Sequence, residues 1–248
     1  MELLEWDAAT YDSLPLPHER WGAGVIDRLD LRGGETVVDL GCGTGRDTER
    51  LLDELPDGRV IAVDGSVQML DRLRERLGRS LDRVEVVQAD LTQPFPDVVA
   101  GNAVMSVATF HWIPDHPALF RRVARCLPPN GRFEAEFGGE GNIAGFLQAV
   151  ERAGGPKQES PWEFADRLET VEQLITAGFK DIEVRVVPDP VELERGPQLE
   201  AFIATVLLGA TLRDMDPDEG RALVKRVAAE MPEPVVDYVR MQISALRA

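Results

Sequence analysis

Glu35-Thr36-Val37-Val38-Asp39-Leu40-Gly41-Cys42-Gly43-Thr44-Gly45, running straight into Arg46 through Leu55, decides the fold. An apolar, β-branched run with an acid near its end breaks into glycines on alternate positions, and a charged but helical pattern follows. This reads as strand, tight turn, helix. Glycines let the backbone turn sharply and approach a ligand closely, because no Cβ intervenes. The helix that opens behind them offers unpaired N–H groups and positive dipole character to a ligand's polar end. The dinucleotide fingerprint G-x-G-x-x-G would need glycine at position 46, which is Arg; the third glycine comes one place early. A glycine triplet alone is also compatible with an ordinary strand-to-helix turn.

Two later runs end in acids. Arg59-Val60-Ile61-Ala62-Val63-Asp64 is apolar up to its acid, and Val84-Glu85-Val86-Val87-Gln88-Ala89-Asp90-Leu91 ends the same way. A nucleoside presents two ribose hydroxyls, and one carboxylate at a strand end can accept from both. Asp64 also has a plain reading as a turn or helix-capping residue, and Met69, early in the helix opened by Gly65-Ser66, as core. Taken together, Asp39, Asp64 and Asp90 close three successive strands at their carboxyl ends, where open α/β sheets bind ligands.

The stretch D-L-G-C-G-T-G resembles motif I of the class I S-adenosylmethionine (SAM) methyltransferases, which carry a carboxylate just ahead of G-x-G-x-G. The resemblance implies SAM as cofactor. Asp39 would then hold its ammonium directly or through water, and Gly41, Cys42, Gly43 and Gly45 would form the loop against its amino-acid part. Asp64 and Gly65 would meet the ribose, Met69 the adenine face, Asp90 the adenine amino group and the Leu91 N–H a ring nitrogen. Ala89, Val107 and Ala108 would complete the pocket. Near the N-terminus, Tyr11 would cap the methionine end and Arg20 pair with its carboxylate. Trp6 and Tyr11 could equally belong to a surface arm.

The chain has 248 residues, enough for one large or two small domains with a self-sufficient core. A formal net charge of −17 repels polyphosphate and argues against nucleic-acid partners. The cysteines, Cys42 and Cys126, have no metal-binding spacing, so no metal is expected, and a reducing, cytoplasmic setting fits best. Met1-Glu2-Leu3-Leu4-Glu5 lacks the basic start and apolar core of a signal peptide, and no stretch reaches membrane-span length, so no membrane partner is expected.

Past Asp90, the pattern predicts a fourth strand within 98–107 and a helix over 117–127 with Leu119, Phe120, Val123, Ala124 and Leu127 on one face. An alternating fifth strand follows over 132–137, then a helix over 143–152 and a linker over 154–163. Further on come a helix over 171–177, a strand over 181–187, an apolar helix over 197–213 and an amphipathic one over 218–230. The run Tyr238-Val239-Arg240-Met241-Gln242-Ile243 predicts a last, half-exposed edge strand. This order matches the Rossmann-like, doubly wound α/β sheet of the methyltransferases, seven-stranded with its last strand antiparallel. The resemblance divides the chain into an arm (1–34) capping the cofactor, a SAM-binding core (35–153) and the rest of the sheet (154–248). A helical substrate lid lies at about 188–234, and the whole forms one structural domain.

Within that family the chain is similar to the trans-aconitate methyltransferase group, whose aromatic element after strand four reads here Phe110-His111-Trp112-Ile113-Pro114-Asp115-His116. Val107 stands where Asn is common and His111 where Gln is common. A sulfonium methyl is already activated, so the protein's task is to align the acceptor and exclude water. The acceptor implied is a small organic molecule, with carboxylate O-methylation first and O- or C-methylation of a specialised metabolite second. A SAM-binding sensor or partner subunit without turnover is the alternative of another class. A carboxylate acceptor would need cationic or N–H groups, for which Arg195 and Arg213 are candidates, with Trp112 nearby. A hydroxyl would need a base, for which His111 is the candidate. The Asn/Asp-Pro-Pro-Tyr element used for methylating base amino groups is absent. A monomer or homodimer is expected.

Overall fold

The computed structural model describes residues 18–156, 161–213 and 215–248. Tyr11 and the first half of the expected arm (1–17) therefore lie outside the described residues. Helix α1 (His18–Arg28) leads into alternating β1 (Thr36–Leu40), α2 (Arg46–Glu54), β2 (Arg59–Asp64), α3 (Val67–Leu77), β3 (Val84–Gln88), β4 (Ala103–Val107), α4 (His116–Arg125) and β5 (Arg132–Gly138). Then follow α5 (Ala144–Arg152), α6 (Arg167–Ala177), β6 (Phe179–Pro188), a short β7 (Val191–Glu192), α7 (Pro197–Phe202), α8 (Gly209–Leu212), α9 (Pro217–Glu230), a short β8 (Val235–Val236) and β9 (Val239–Arg247).

The main sheet has seven strands in the order β3-β2-β1-β4-β5-β9-β6. The first five pair in parallel, and β9 runs antiparallel to both β5 and β6. The central strands β1, β2 and β4 are apolar along nearly their whole length because helices cover both faces of the parallel part: Val37, Val38, Leu40, Val60, Val63 and Val104 are fully buried. The order reverses between β1 and β4, the switch point that opens a crevice at the carboxyl ends.

Two expectations are corrected. The alternating run 238–243 is not an edge strand: β9 lies between β5 and β6, and β6 is the edge. Its alternation has another cause. On one face Met241, Ile243 and Ala245 join Phe133, Ala135 and Phe137 of β5 in the core. On the other face the polar side chains, half-buried at Gln242 and Ser244 and fully buried at Arg240, meet carboxylates of β5. Ser244 donates to Glu134 (2.6 Å), Gln242 donates to Glu136 (3.0 Å), and Arg28 of α1 donates to Glu134 (3.1 Å). Nor is 197–213 one regular helix. A π turn occupies Ile203–Leu207, with Leu208 N–H bonding back to the Ile203 carbonyl at 2.8 Å. The wider turn re-aims the segment so that Val206, Leu207, Ala210 and Arg213 all reach the main cavity.

Arg195, a candidate substrate contact, is instead a helix cap. Its guanidinium donates to the carbonyls of Ala228 (3.2 Å), Met231 (3.1 Å) and Pro232 (2.9 Å), where α9 ends and its carbonyls lack intrahelical partners. It does not line the cavity. Arg195→Ala should therefore cost about 1–2 kcal/mol, or about 2–6 °C in Tm. Ligand affinity in the cavity should be unchanged at temperatures well below the transition; a selective loss of affinity with Tm intact would restore the substrate role.

Candidate active site

A cavity of about 480 Å³ opens at the carboxyl ends of β1 to β4. Its cofactor-like end is built from the glycine loop. Gly41 and Cys42 N–H both donate to the Val63 carbonyl (2.7 and 3.1 Å), tying the loop to β2. The Gly43 N–H donates to Asp64 Oδ2 and the Ser66 N–H to Asp64 Oδ1, each at 2.9 Å. Asp64 thus has the turn role its position allows. Gly41 sits at φ 76°, and a Cβ there would come within 2.1 Å of Thr109 Oγ1. Gly43, at φ 54°, would meet nothing within 4 Å: a side chain there would project into the open cradle.

Gly65, Met69, Ala89, Asp90, Leu91, Val107 and Ala108 line the same cavity. Ser66 caps α3 through the Met69 N–H (3.2 Å), which sets where Met69 lies. Asp90 Oδ1 accepts from the Thr92 N–H (2.8 Å) and hydroxyl (2.7 Å). Two of the five non-glycine residues with positive φ among the described residues, Ala108 (53°) and Ile143 (52°), also line the cavity. Backbone strain of this kind persists where the surrounding structure enforces it, commonly at binding sites.

Several expected contacts stand elsewhere. Asp39 is buried behind the loop, accepts from the Thr48 hydroxyl at 2.7 Å and does not line the cavity. Burial, with the nearby Asp47 carboxylate second, pushes it up to about 7. Gly45 packs over Leu73 of α3. Arg20 is half exposed and donates to Asp189 at 2.5 Å, away from the cavity. An acid the sequence reading passed over takes the forward position. Asp47, in the first turn of α2, lines the cavity with its buried Oδ1 accepting no hydrogen bond. Burial pushes it up to about 6, against the pull of Arg50 and Arg46. Gly22 of α1 makes room for it, since a Cβ there would overlap the carboxylate at 1.8 Å.

The other end of the cavity gathers aromatic rings and one deeply buried cation. Trp112, Trp162 and Phe164 form a wall: Trp162 stacks on Phe164 (centroids 5.9 Å, planes 9° apart), and Trp112 lies 5.6 Å from Trp162. His111 sits against that wall, 6.2 Å from Phe164, and its Nδ1 accepts from the Gly138 N–H at 3.4 Å. Burial first, then the Arg240 guanidinium, holds His111 well below its usual pKa. The same two causes take His18 down to about 3. Arg240 is 2% exposed and lies 3.8 Å above the Trp21 ring. Arg213 also lines the cavity. Among the described residues no group of three or more His, Cys, Asp or Glu side chains is placed to hold a metal ion. No helix among them is long and apolar enough to cross a membrane.

A family model described as a methyltransferase domain matches residues 37–131. The trans-aconitate 2-methyltransferase of Acidovorax sp. (strain JS42) is 35% identical over 127 residues, 51% of this chain and 47% of that protein. This chain spans about half the length of the first such relatives it matches. The malonyl-[acyl-carrier protein] O-methyltransferase of Geobacter sulfurreducens is 30% identical across 90% of this chain and 84% of its own length. The chain belongs to the class I SAM-dependent methyltransferases. The YcgJ protein of Bacillus subtilis shares the fold, with a TM-score of 0.67 at 16% identity over 93% of this chain and 99% of that one.

The residues present fit the methyltransferase cofactor. The open cradle at Gly43 leaves space for a ligand, and the orphaned Asp47 oxygen suits an ammonium group. Asp64 and Asp90 are carboxylates on the cavity lining, the acceptor type that hydroxyl and amino donors require. The signal for Asp47 was available as an acid in the first turn of a glycine-led helix. The signal for Arg240 was strand parity, which puts it beside Tyr238 on one face.

The methyltransferase's buried acid has a measurable consequence. Asp39 binds a proton more tightly folded (about 7) than at its ordinary value of 3.8, so the stability of the neutral form is lost as pH rises between them. Asp39→Asn removes that loss. The Tm difference, variant minus wild type in the absence of SAM, should grow more positive from pH 5 to pH 8. A pH-independent difference would mean that Asp39 stays ionised throughout.

Proposed function

We propose that this protein transfers a methyl group from SAM to a carboxylate oxygen of a small organic acid. When bound, SAM supplies a sulfonium methyl already activated toward nucleophiles. The chain's own residues then have three tasks. Asp47, with Asp39 behind it, neutralises the ammonium end. Asp64 and Asp90 orient the nucleoside end by accepting hydrogen bonds. The aromatic wall and the segment over Val206, Leu207 and Ala210 exclude water from the acceptor end.

The observation that carries the carboxylate reading is the state of the imidazoles. His18 and His111, the two histidines that line the cavity among the described residues, are partly buried near the same guanidinium, and burial first, then that cation, lowers both. Such rings accept protons poorly at neutral pH, so neither serves as the base a hydroxyl acceptor requires. His111 also takes the Gly138 N–H at Nδ1, which leaves Nε2 as the protonated, donating nitrogen. A carboxylate is already ionised, needs no base and benefits from donors and a cation. The names of two relatives, trans-aconitate 2-methyltransferase and malonyl-[acyl-carrier protein] O-methyltransferase, both specify acceptors bearing carboxyl groups, which supports the same choice.

Methyl-labelled SAM with small acids, followed by mild alkali, tests this. Ester products should release the label as methanol. An alkali-stable product would replace the reading with ether, amine or carbon methylation, and tight SAM binding without labelling of any acceptor would favour a non-catalytic SAM protein. His111→Gln should retain kcat within about threefold of wild type, because no proton is removed there. A fall of about a hundredfold or more would reinstate His111 as a base.

A further inference from the structure

Two buried donors in the cavity are left without acceptors. Arg240 Nε and the Tyr238 hydroxyl each have no hydrogen-bond partner, and both residues line the cavity beneath α1. Arg240 is not a free charge seeking any partner. Its Nη2 donates to the Glu136 carbonyl at 3.2 Å, and its Nε lies 3.8 Å from Glu136 Oε1, near enough for charge neutralisation but too far for a hydrogen bond. The Trp21 ring beneath the guanidinium fixes its plane, and Tyr238 packs edge-on to the same ring at 5.2 Å. Leaving two donors unsatisfied in a buried site is costly unless a ligand completes them.

We propose that Arg240 and Tyr238 anchor the acceptor's carboxylate, and that the acceptor is a monocarboxylic acid whose body is aromatic or aliphatic and lies against Trp112, Trp162 and Phe164. This rests on the methyl-transfer reading above. Arg240, already half neutralised by Glu136, matches one carboxylate, and the other guanidinium on this side, Arg213, belongs to the segment that follows the π turn rather than to the Tyr238 anchor. The wall beside His111 presents aromatic rings, and a second or third carboxylate laid against their faces would lose its water without gaining a partner. The geometry therefore selects against compact polycarboxylates such as trans-aconitate, although the first relatives carry that name. Tyr238 and Arg240 are specificity-determining residues rather than proton-transfer groups.

Octanoate, cinnamate and trans-aconitate, each presented with methyl-labelled SAM, give the test. Binding of the same acids to the protein loaded with S-adenosylhomocysteine is read in parallel from tryptophan fluorescence, since Trp21, Trp112 and Trp162 line the cavity. Octanoate or cinnamate should be methylated with kcat/KM at least about tenfold above trans-aconitate. Tyr238→Phe, which keeps the packing on Trp21, should raise KM and the binding constant for octanoate about tenfold. It should leave SAM affinity near wild type. Because Arg240→Met strands Glu136, it is paired with Glu136→Gln, and the double variant should weaken octanoate at least as much. Preference for trans-aconitate, or octanoate binding unchanged in both variants, overturns the proposal while leaving methyl transfer standing. Octanoate binding that depends on Tyr238 without ester formation supports the anchor and removes the methyl-transfer reading instead.

Discussion

The fold closes on a guanidinium that it buries and only partly neutralises. Arg240 is one of the most enclosed side chains in the molecule, and burial takes it down to about 10. Removing a charge from water costs several kcal/mol unless partners replace the solvent. Here the partners come from three elements: the Glu136 carboxylate and carbonyl on β5, the Trp21 face on α1, and Tyr238 just ahead of β9. Their convergence determines where α1 docks. Arg28 at the end of α1 is drawn onto Glu134 and Glu136, Arg20 and Trp21 at its start onto Asp189, which follows β6. A helix outside the alternating β/α order is thereby fixed across the sheet, with His18 and Trp21 over the cavity.

The same charge sets the chemistry of what lies around it. A nearby cation lowers the pKa of any neighbouring imidazole, and burial adds to the effect. At the opposite end the signs reverse. Asp39, Asp47 and Asp64 crowd around one glycine loop; burial raises both Asp39 and Asp47, and the charges of Asp47 and Asp64 add to the rise at Asp39. The cavity is therefore polarised, acidic where a cationic cofactor group belongs and cationic where an anion belongs. Such a field orients two ligands before any side chain moves, which is the preorganisation that methyl transfer from an activated donor requires.

Much of this was legible in the residues. The strand-loop-helix unit, the acids closing β1 to β3 and the antiparallel strand near the end all follow from local patterns: glycine spacing, apolar runs and alternation. What local pattern left open was partnership. Alternation in 238–243 reports two unlike faces, and nothing in the run itself says whether the polar face meets water or another buried layer. Here it meets Glu134 and Glu136, whose own alternation in β5 carries the complementary signal only once the two strands are known to pair. Arg195 shows the converse: a cation in a lid looks available for an anion until the carbonyls at the end of α9 claim it. Asp39 and Asp47 are separated by the loop in sequence but lie together in space, and which of them faces the cavity depends on the turn the glycines make.

The segment over the acceptor end shows how a small backbone irregularity shapes the site. A regular helix from 197 to 213 would repeat every 3.6 residues and bury one stripe against α9. The π turn at Ile203–Leu207 shifts that stripe, so that Phe202, Ile203 and Leu208 remain in the core while Val206, Leu207, Ala210 and Arg213 line the cavity. The side chains it brings to the cavity are largely apolar. A lid built this way excludes water by surface rather than by charge. On the acceptor reading proposed above, the covered body would set selectivity among acids and the Arg240–Tyr238 anchor the position of the reacting oxygen, so the two could change independently in related chains.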